Sequence, residues 1–216
     1  MWIAAALAVV ALGLPPAAPP SSGRDPGFAA AWAAYEAGQR PRAYEGFRAA
    51  AERGDALAQF NLAVMLMAGE GVEADPVRAM QWLRRSADGG VARAQYSLGV
   101  FYEHGDGVPR SLTEATAWFR KAAELGWRDA QVSLATQYFL GRGAPLDMAQ
   151  AAYWYERAAE QDDEGAQYIV ASMYEKGDGV PRDLVRAEAW YSRAAAQGDI
   201  AAAVKAREMA KLRAQP

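Results

Sequence analysis

The residue pair with the clearest chemical potential is Glu103 beside His104, the one histidine of this 216-residue chain. A carboxylate next to an imidazole can act in general acid–base catalysis. A histidine in the last turn of a helix also interacts favourably with the helix dipole, without any catalytic role. The second interpretation needs no substrate, so we expect His104 to cap a helix or line a surface, and we predict no catalytic residue.

Metal and cofactor chemistry is also not expected. The chain has no cysteine, which excludes disulfides and thiolate zinc sites, and one histidine cannot form a cluster of histidine ligands. Gly105-Asp106-Gly107 resembles a phosphate-binding loop only superficially, because a dinucleotide fingerprint needs a preceding strand and a third glycine. One carboxylate per loop gives too few oxygen ligands for Ca²⁺. A net charge of −3 argues against a nucleic-acid partner, which would require many cations facing phosphates.

The elements that position these residues follow a period of 36 residues. Tryptophans recur at this spacing four times without an insertion, at Trp82, Trp118, Trp154 and Trp190. Glutamine, alanine and glycine positions follow the same step: Gln59, Gln95, Gln131 and Gln167; Ala79, Ala115, Ala151 and Ala187; Gly69, Gly105, Gly141 and Gly177; Gly71, Gly107, Gly143 and Gly179. Such a period indicates a tandem-repeat protein.

Each unit of the repeat is predicted to be helix, loop, helix. In the second full unit, apolar residues within Ala94–Tyr102 recur at helical spacing, and Gly105 is placed to end that helix. Ser111 and Glu114 then form a capping box, and the helix that it begins ends at Gly126. The equivalent N-cap residues elsewhere are Asp75, Asp147 and Asp183. A single hairpin of this kind cannot bury its apolar face, so neighbouring units must stack.

Both ends of the repeat array depart from the pattern. We predict a short N-terminal repeat over 27–54, four full repeats over 55–198, and a capping helix over 199–213 that begins at Asp199. Cationic residues on this last helix are interpreted as a solvated face, with contact to an anionic polymer or lipid headgroups as the alternative. They are Lys205, Arg207, Lys211 and Arg213.

Residues 1–26 are predicted to be a targeting segment followed by a linker. Thirteen uncharged residues, Trp2 to Leu14, have the length of the apolar region of a secretory signal peptide and are too short to span a bilayer as a helix. Candidate cleavage signals lie at 11–13 and 21–23, with a poorer one at 16–18. We expect a periplasmic or secreted protein, with a membrane-anchored or a cytoplasmic protein as alternatives.

The units also resemble a known family. The pattern A-x-x-x-L-G-x-x-Y-x-x-G-x-G-V-P, followed by a capping residue and A-x-x-W-[FY], matches Ala94 to Gly126 almost throughout and is similar to the Sel-one-like repeat, a relative of the tetratricopeptide repeat. The resemblance implies an all-α fold, a right-handed α-α superhelix, or solenoid, with a concave groove. It also implies an adaptor for peptides or partner domains, and in exported bacterial members a role in the cell envelope. Some cysteine-rich members are associated with penicillin binding or β-lactamase activity, but the cysteine-free chain offers no residue for that.

Tetratricopeptide-like geometry further implies which side chains face the groove. They lie on the first helix of each repeat and are Phe60, Val64, Met67, Tyr96, Val100, Glu103, His104, Val132, Thr136, Phe139, Leu140, Tyr168, Ser172, Glu175 and Lys176. The row Phe60, Tyr96, Val132 and Tyr168 would form an exposed apolar stripe, a feature typical of binding surfaces. The alternative is that part of this stripe packs between repeats.

The predicted function is a non-enzymatic scaffold that binds a protein or peptide in its groove, in the bacterial cell envelope. One alternative is an envelope protein that binds polysaccharide through aromatic faces or regulates exopolysaccharide. A second alternative is a cell-wall hydrolase that uses Glu103 and His104.

Overall fold

The computed structural model describes residues 16–18 and 26–214, and within these residues the structure is helical with no strand. The helices are α1 Pro26–Glu36, α2 Arg40–Glu52, α3 Ala56–Ala68, α4 Pro76–Asp88, α5 Ala92–His104, α6 Leu112–Glu124, α7 Arg128–Leu140, α8 Met148–Glu160, α9 Glu164–Lys176, α10 Leu184–Ala196 and α11 Ile200–Arg213. Apart from 16–18 and 26, the predicted targeting segment and linker lie outside the described residues. None of the described helices combines the length and hydropathy needed to cross a bilayer.

Helix boundaries follow the capping residues that the sequence predicts. At the second helix of three repeats, the side chains of Asp75, Asp147 and Asp183 accept hydrogen bonds from backbone amides of the first turn. At α6 the Oγ atom of Ser111 accepts from the amide of Glu114 at 3.2 Å. These bonds satisfy amides that have no partner inside the helix, so each of these four helices begins at a defined residue. The first helices of the four full repeats all end at a glycine in the left-handed conformation.

A buried glutamine at the start of each full repeat binds the hairpin before it. The Nε2 atom of Gln59 donates to the carbonyl of Ala51 at 3.2 Å, and that of Gln95 donates to Ala87 at 3.0 Å. In the later repeats, the Nε2 atoms of Gln131 and Gln167 donate in the same way at 3.3 and 3.1 Å; their acceptors are the carbonyls of Ala123 and Ala159. The bond ties one hairpin to the next through a carbonyl at a helix end, which is the physical reason for the periodic glutamine.

The described residues fall into two compact units, the first ending at Trp118 and the second beginning at Phe119. In the first unit, the core includes the edge-to-face pair Phe28 and Phe47, together with Leu62 and Phe101. In the second unit, the core side chains include Leu134, Tyr155, Val170, Tyr191 and Met209. Alanines fill many of the remaining buried positions and allow helices to approach closely.

The second glycine of the interhelical loop is a packing contact. A Cβ atom at Gly179 would overlap the carbonyl oxygen of Met148, the first residue of α8. A Cβ atom at Gly71 would overlap the backbone of Arg40, the first residue of α2. Both glycines also have φ between 74° and 76°, a region that side chains rarely adopt. The Gly-x-Gly loop is therefore built to lie on the first turn of the preceding second helix.

Candidate partner-binding sites

Several predicted groove residues are core residues. Phe60 is 1% exposed, Met67 3%, Val64 7% and Val100 8%. Phe60, Val64 and Met67 belong to the hydrophobic cluster of the first unit. The expectation that Phe60, Val64 and Val100 lie open to a partner is therefore wrong, because packing covers them, as it does most large apolar side chains that can be buried. Met67 is also largely covered, but it lines the apolar cavity described below.

Other predicted groove residues keep some exposure but already have internal partners. Tyr96, Val132, Thr136, Tyr168 and Ser172 are half-buried. The hydroxyl groups of Thr136 and Tyr155 share a hydrogen bond of 2.9 Å, and the ring of Tyr168 packs edge-to-face on Tyr191 at 5.2 Å. Phe139, Leu140, His104 and Lys176 are exposed. A role for these residues in partner binding stays a prediction.

Glu175 lies in a polar cluster. Its carboxylate accepts a hydrogen bond from the hydroxyl of Tyr191 at 2.7 Å and pairs with the Nζ atom of Lys205, on α11, at 2.9 Å. Burial opposes ionisation of Glu175, but the hydrogen bonds from Tyr191 and Lys205 outweigh it and lower the pKa. Burial and the neighbouring carboxylate together raise the pKa of Tyr191 far above its ordinary value. Glu175 therefore binds the capping helix α11 to the fourth repeat. Lys205, which the sequence suggests to be a solvated surface charge, takes part in this ion pair.

The two alternative functions depend on Glu103, His104 and the aromatic side chains. His104 is exposed at the end of α5, and the carbonyl of Glu103 accepts from the Nε atom of Arg110 at 2.9 Å. Across residues 16–18 and 26–214, no group of three or more histidine, cysteine, aspartate or glutamate side chains could hold a metal ion. A polysaccharide platform would need open aromatic faces.

The periodic tryptophans do not provide such open faces. Trp118 and Trp154 are buried, at 3% and 9% exposed. The guanidinium groups of Arg85 and Arg193 each lie 4.6 Å from the ring centroids of Trp82 and Trp190, which are partly buried. The tryptophans therefore act as packing residues.

The first unit contains an apolar cavity of about 540 Å³ that was not predicted from the sequence. It lies between α4 and α5 and extends to the loop after α5. Its apolar lining includes Met67, Val77, Met80, Leu98, Tyr102 and Val108. Arg84 lines the same cavity: it donates to the Tyr102 hydroxyl at 2.8 Å and lies 5.2 Å from the Trp118 ring centroid.

The cavity arises where the first full repeat departs from the others. The positions of Met67 and Met80 are occupied in the fourth repeat by Glu175 and Glu188. In the second repeat they are Glu103 and Thr116. In the third repeat they are Phe139 and Ala152. A methionine at both positions occurs in the first full repeat alone of the four, and this was the sequence signal that could have located the cavity.

A second site in the first unit involves Asn61 on α3, which is fully buried. Its Oδ1 atom accepts a hydrogen bond from the amide of Ala17 at 2.7 Å, and its Nδ2 atom donates to the carbonyl of Ala17 at 3.1 Å. One side chain thus pairs with both backbone polar groups of one residue. The equivalent positions in the other repeats hold Ser97, Ser133 and Ile169, so periodicity alone does not reveal this site.

These observations define the class of protein: a helical-repeat protein with two candidate contact sites in its first unit. The sequence-family model of the Sel1 repeat matches residues 56–91, 92–127, 128–163 and 165–199. The chain belongs to the Sel1 repeat family. The all-α fold matches the solenoid of Sel1 repeat structures, as the sequence predicts. Sel1 repeat proteins generally mediate protein–protein interactions and are typically non-catalytic.

Two solved structures are the most informative relatives. One is a protective antigen of uropathogenic Escherichia coli strains, 39% identical, with a TM-score of 0.67; the match covers 74% of this chain and 34% of that protein. The other is a Sel1 repeat protein from Oxalobacter formigenes, 33% identical, with a TM-score of 0.72; the match covers 79% of this chain and 50% of that one. This chain therefore corresponds to half or less of each relative's length. Curated proteins give no match.

Proposed function

We propose that this chain is a non-enzymatic interaction scaffold whose first unit binds a partner protein through the cavity beside Met80. The observation that carries this proposal is the cavity itself. It is concave, mainly apolar and about 540 Å³ in volume, within the range of sites that take a ligand or a large anchoring side chain. The periodic contacts that hold the repeats together, which are the glutamine bonds, the helix caps and the loop glycines, do not require such a cavity.

The lining chemistry supports a protein partner. Methionine is unbranched and polarisable, so Met67 and Met80 can adapt to the shape of an inserted apolar side chain. Arg84 and Arg85 also line the cavity and add cationic groups to the apolar wall. An apolar anchor with a neighbouring carboxylate would match this arrangement of an apolar floor and positive charge.

The proposed place of action is the bacterial cell envelope. The support is the uncharged run Trp2–Leu14 and the proline-rich stretch after it, which have the composition of an export signal and a linker. Fractionation of cells that express the full chain tests this proposal. Recovery in the periplasm, membrane or medium is the expected result, and recovery only in the cytosol would overturn it.

The cavity is tested by site-specific photocrosslinking in cells that express the full chain. A photoreactive residue in place of Gln81, an exposed residue that lines the cavity, should yield adducts with a partner protein. The same residue in place of Ala189, the exposed equivalent in the fourth repeat, is the matched control. Adducts should form at position 81 and not at position 189.

A charge at the cavity should abolish this crosslinking without unfolding the protein. Val77 is 49% exposed at the cavity, and Val185 is its equivalent in the fourth repeat, 56% exposed. We expect Val77→Asp to reduce the adducts about 10-fold or more, because inserting a carboxylate beside an apolar anchor costs well over 1 kcal/mol. Val185→Asp should leave them unchanged. Equal adduct yields in the two variants would refute the cavity as the partner site.

A further inference from the structure

Asn61 holds a short stretch of the chain itself against the first unit. The two hydrogen bonds join its amide to the N–H and C=O groups of Ala17, and both polar atoms of the asparagine side chain take part. Asn61 is fully buried, and Ala17 packs on the hydrophobic cluster of the first unit. Pro16 is buried and Ala18 is exposed.

This geometry is suited to extended backbone. The N–H and C=O groups of one residue in an extended segment point to the same side, as they do toward the partner strand of a sheet. A carboxamide offers one acceptor and one donor and can pair with both. Because these bonds involve only main-chain atoms of the bound residue, they do not select its side chain. Selection comes instead from the burial of Pro16 and the packing of Ala17 on the hydrophobic cluster.

The buried asparagine also needs an occupant. If no backbone were bound, the side-chain oxygen and nitrogen of Asn61 would lose both hydrogen bonds while remaining in the core. Unpaired buried polar groups lower the stability of the folded state. The equivalent residue of the next repeat avoids this problem, because the hydroxyl of Ser97 donates to the carbonyl of Arg93 in its own helix at 2.9 Å. A buried asparagine at this position is therefore favourable only where another segment of polypeptide supplies its hydrogen-bond partners.

We propose that Asn61 is a backbone clamp for an extended partner peptide, and that residues 16–18 are an internal occupant that competes for it. The expected ligand is an extended segment with a small apolar residue after proline, which is the chemistry of Pro16-Ala17-Ala18. The proposal rests on the proposed function in assuming a protein partner, but Asn61 does not line the cavity beside Met80.

The clamp links partner binding to processing of the chain. Cleavage after Ala18 would remove the internal occupant and free Asn61. Cleavage before Pro15 would leave residues 16–18 in the chain, and a partner peptide would then have to displace a tethered competitor. A tethered segment acts at an effective concentration in the millimolar range, so displacement requires a strong or locally concentrated ligand.

Amide hydrogen exchange of the full chain, followed by nitrogen-15 NMR, tests the internal contact. The Ala17 amide should exchange about 10-fold or more slowly than the Ala18 amide, because it donates to Asn61. In Asn61→Ser, which introduces the residue found in the next two repeats, that difference should fall below about twofold. Ser97→Ala is the matched control and should leave the exchange of Ala17 unchanged. An unchanged Ala17 rate in Asn61→Ser would overturn the clamp.

A synthetic peptide, Leu-Pro-Pro-Ala-Ala-Pro-Pro, tests binding in trans. It should bind the Ala17→Pro protein about 10-fold or more tightly than the wild-type chain, because proline removes the N–H group that holds the internal occupant. Adding Asn61→Ser to Ala17→Pro should abolish this binding, and so should N-methylation of the first alanine of the peptide. Circular dichroism checks that each variant keeps its helices.

Equal binding of the peptide to the single and double variants, or of the methylated and unmethylated peptides, would overturn the proposal. No binding to Ala17→Pro would do so as well. Because this assay contains only the chain and a peptide, its failure would leave the crosslinking result at the cavity standing. Loss of crosslinking at the cavity would likewise leave the clamp untouched.

Discussion

The first and fourth full repeats use the same positions for different purposes. In the first repeat, Met67 and Met80 line an apolar cavity. In the fourth, the equivalent residues are Glu175 and Glu188, and both pair with cations of the capping helix. Asn61 of the first repeat binds backbone of residues 16–18, where the fourth repeat has Ile169.

Comparison of the two repeats distinguishes positions that form a shared packing frame from positions that vary between repeats. The glutamine that binds the preceding hairpin, the N-cap residue and the loop glycines are present in both repeats and have equivalent roles in each. Because the frame sets the backbone, the remaining positions are free to form a cavity in one repeat and an ionic attachment in another. In this chain, departures from the periodic pattern indicate sites, and the pattern itself indicates packing.

The largest expected effect concerns the shared frame. Gly71→Ala and Gly179→Ala should each lower the free energy of unfolding by at least about 3 kcal/mol, because each adds a backbone overlap to an unfavourable φ. Similar losses in the two variants would show that both repeats depend on the same loop contact. The measurement is denaturant unfolding followed by circular dichroism.

Gly126→Ala is the matched control for these two variants. Gly126 also has positive φ, at 84°, but no atom lies within 4 Å of a Cβ built there. The equivalent position in the next repeat is Asp162, which adopts a φ of 61°. We therefore expect a loss of only about 1 kcal/mol. If Gly126→Ala cost as much as Gly179→Ala, conformational strain and not loop packing would explain why glycine recurs every 36 residues at the loop position.

The second largest effect concerns the ion pair between Glu175 of the fourth repeat and Lys205 of the capping helix. At neutral pH, Glu175→Gln should lower the free energy of unfolding by about 1 kcal/mol, because it weakens the hydrogen bonds to Tyr191 and Lys205 in a partly solvated site. The folded state lowers the pKa of Glu175 below its ordinary 4.5. The carboxylate therefore stabilises the fold above the unfolded-state pKa, and this contribution is lost as the pH falls through the folded-state value.

The difference between wild type and Glu175→Gln should accordingly disappear in acid. Met80→Gln, which changes the cavity without a charge, is the comparison in the first repeat. Its effect on stability should not vary across the same pH range. A pH-independent difference for Glu175→Gln would mean that the carboxylate contributes through packing and not through its charge.

Much of the shared packing frame could be predicted from the sequence, but little of the two candidate contact sites could. The period of 36 residues, the caps at Asp75, Asp147 and Asp183 and the terminal helix from Asp199 depend on local residue types, which a sequence displays directly. The exposure of Phe60 and Met67 could not be predicted, because it depends on which neighbouring segments cover the same helix face. The clamp at Asn61 joins residues 44 positions apart, and no periodic signal connects them.

The smallest effect concerns a tyrosine position that changes partner between repeats. The hydroxyls of Tyr102 and Tyr138 accept hydrogen bonds from Arg84 and Arg120, whereas the hydroxyl of Tyr174 donates to the carboxylate of Glu156 at 3.2 Å.

Burial and the charge of Glu156 raise the pKa of Tyr174 to about 12. Glu156→Gln removes the charge, so the pKa should fall while burial keeps it above the ordinary 10.0. Stability at neutral pH should change by no more than about 0.5 kcal/mol, because the ion pair of Glu156 with Arg186 is partly exposed and the glutamine side chain can still accept from the hydroxyl of the buried Tyr174. Ultraviolet titration of tyrosinate, with Tyr174→Phe to assign the signal, measures the shift. An unchanged titration would mean that burial alone sets this pKa, and that the exchange of arginine for glutamate at this position has no electrostatic consequence for the repeat.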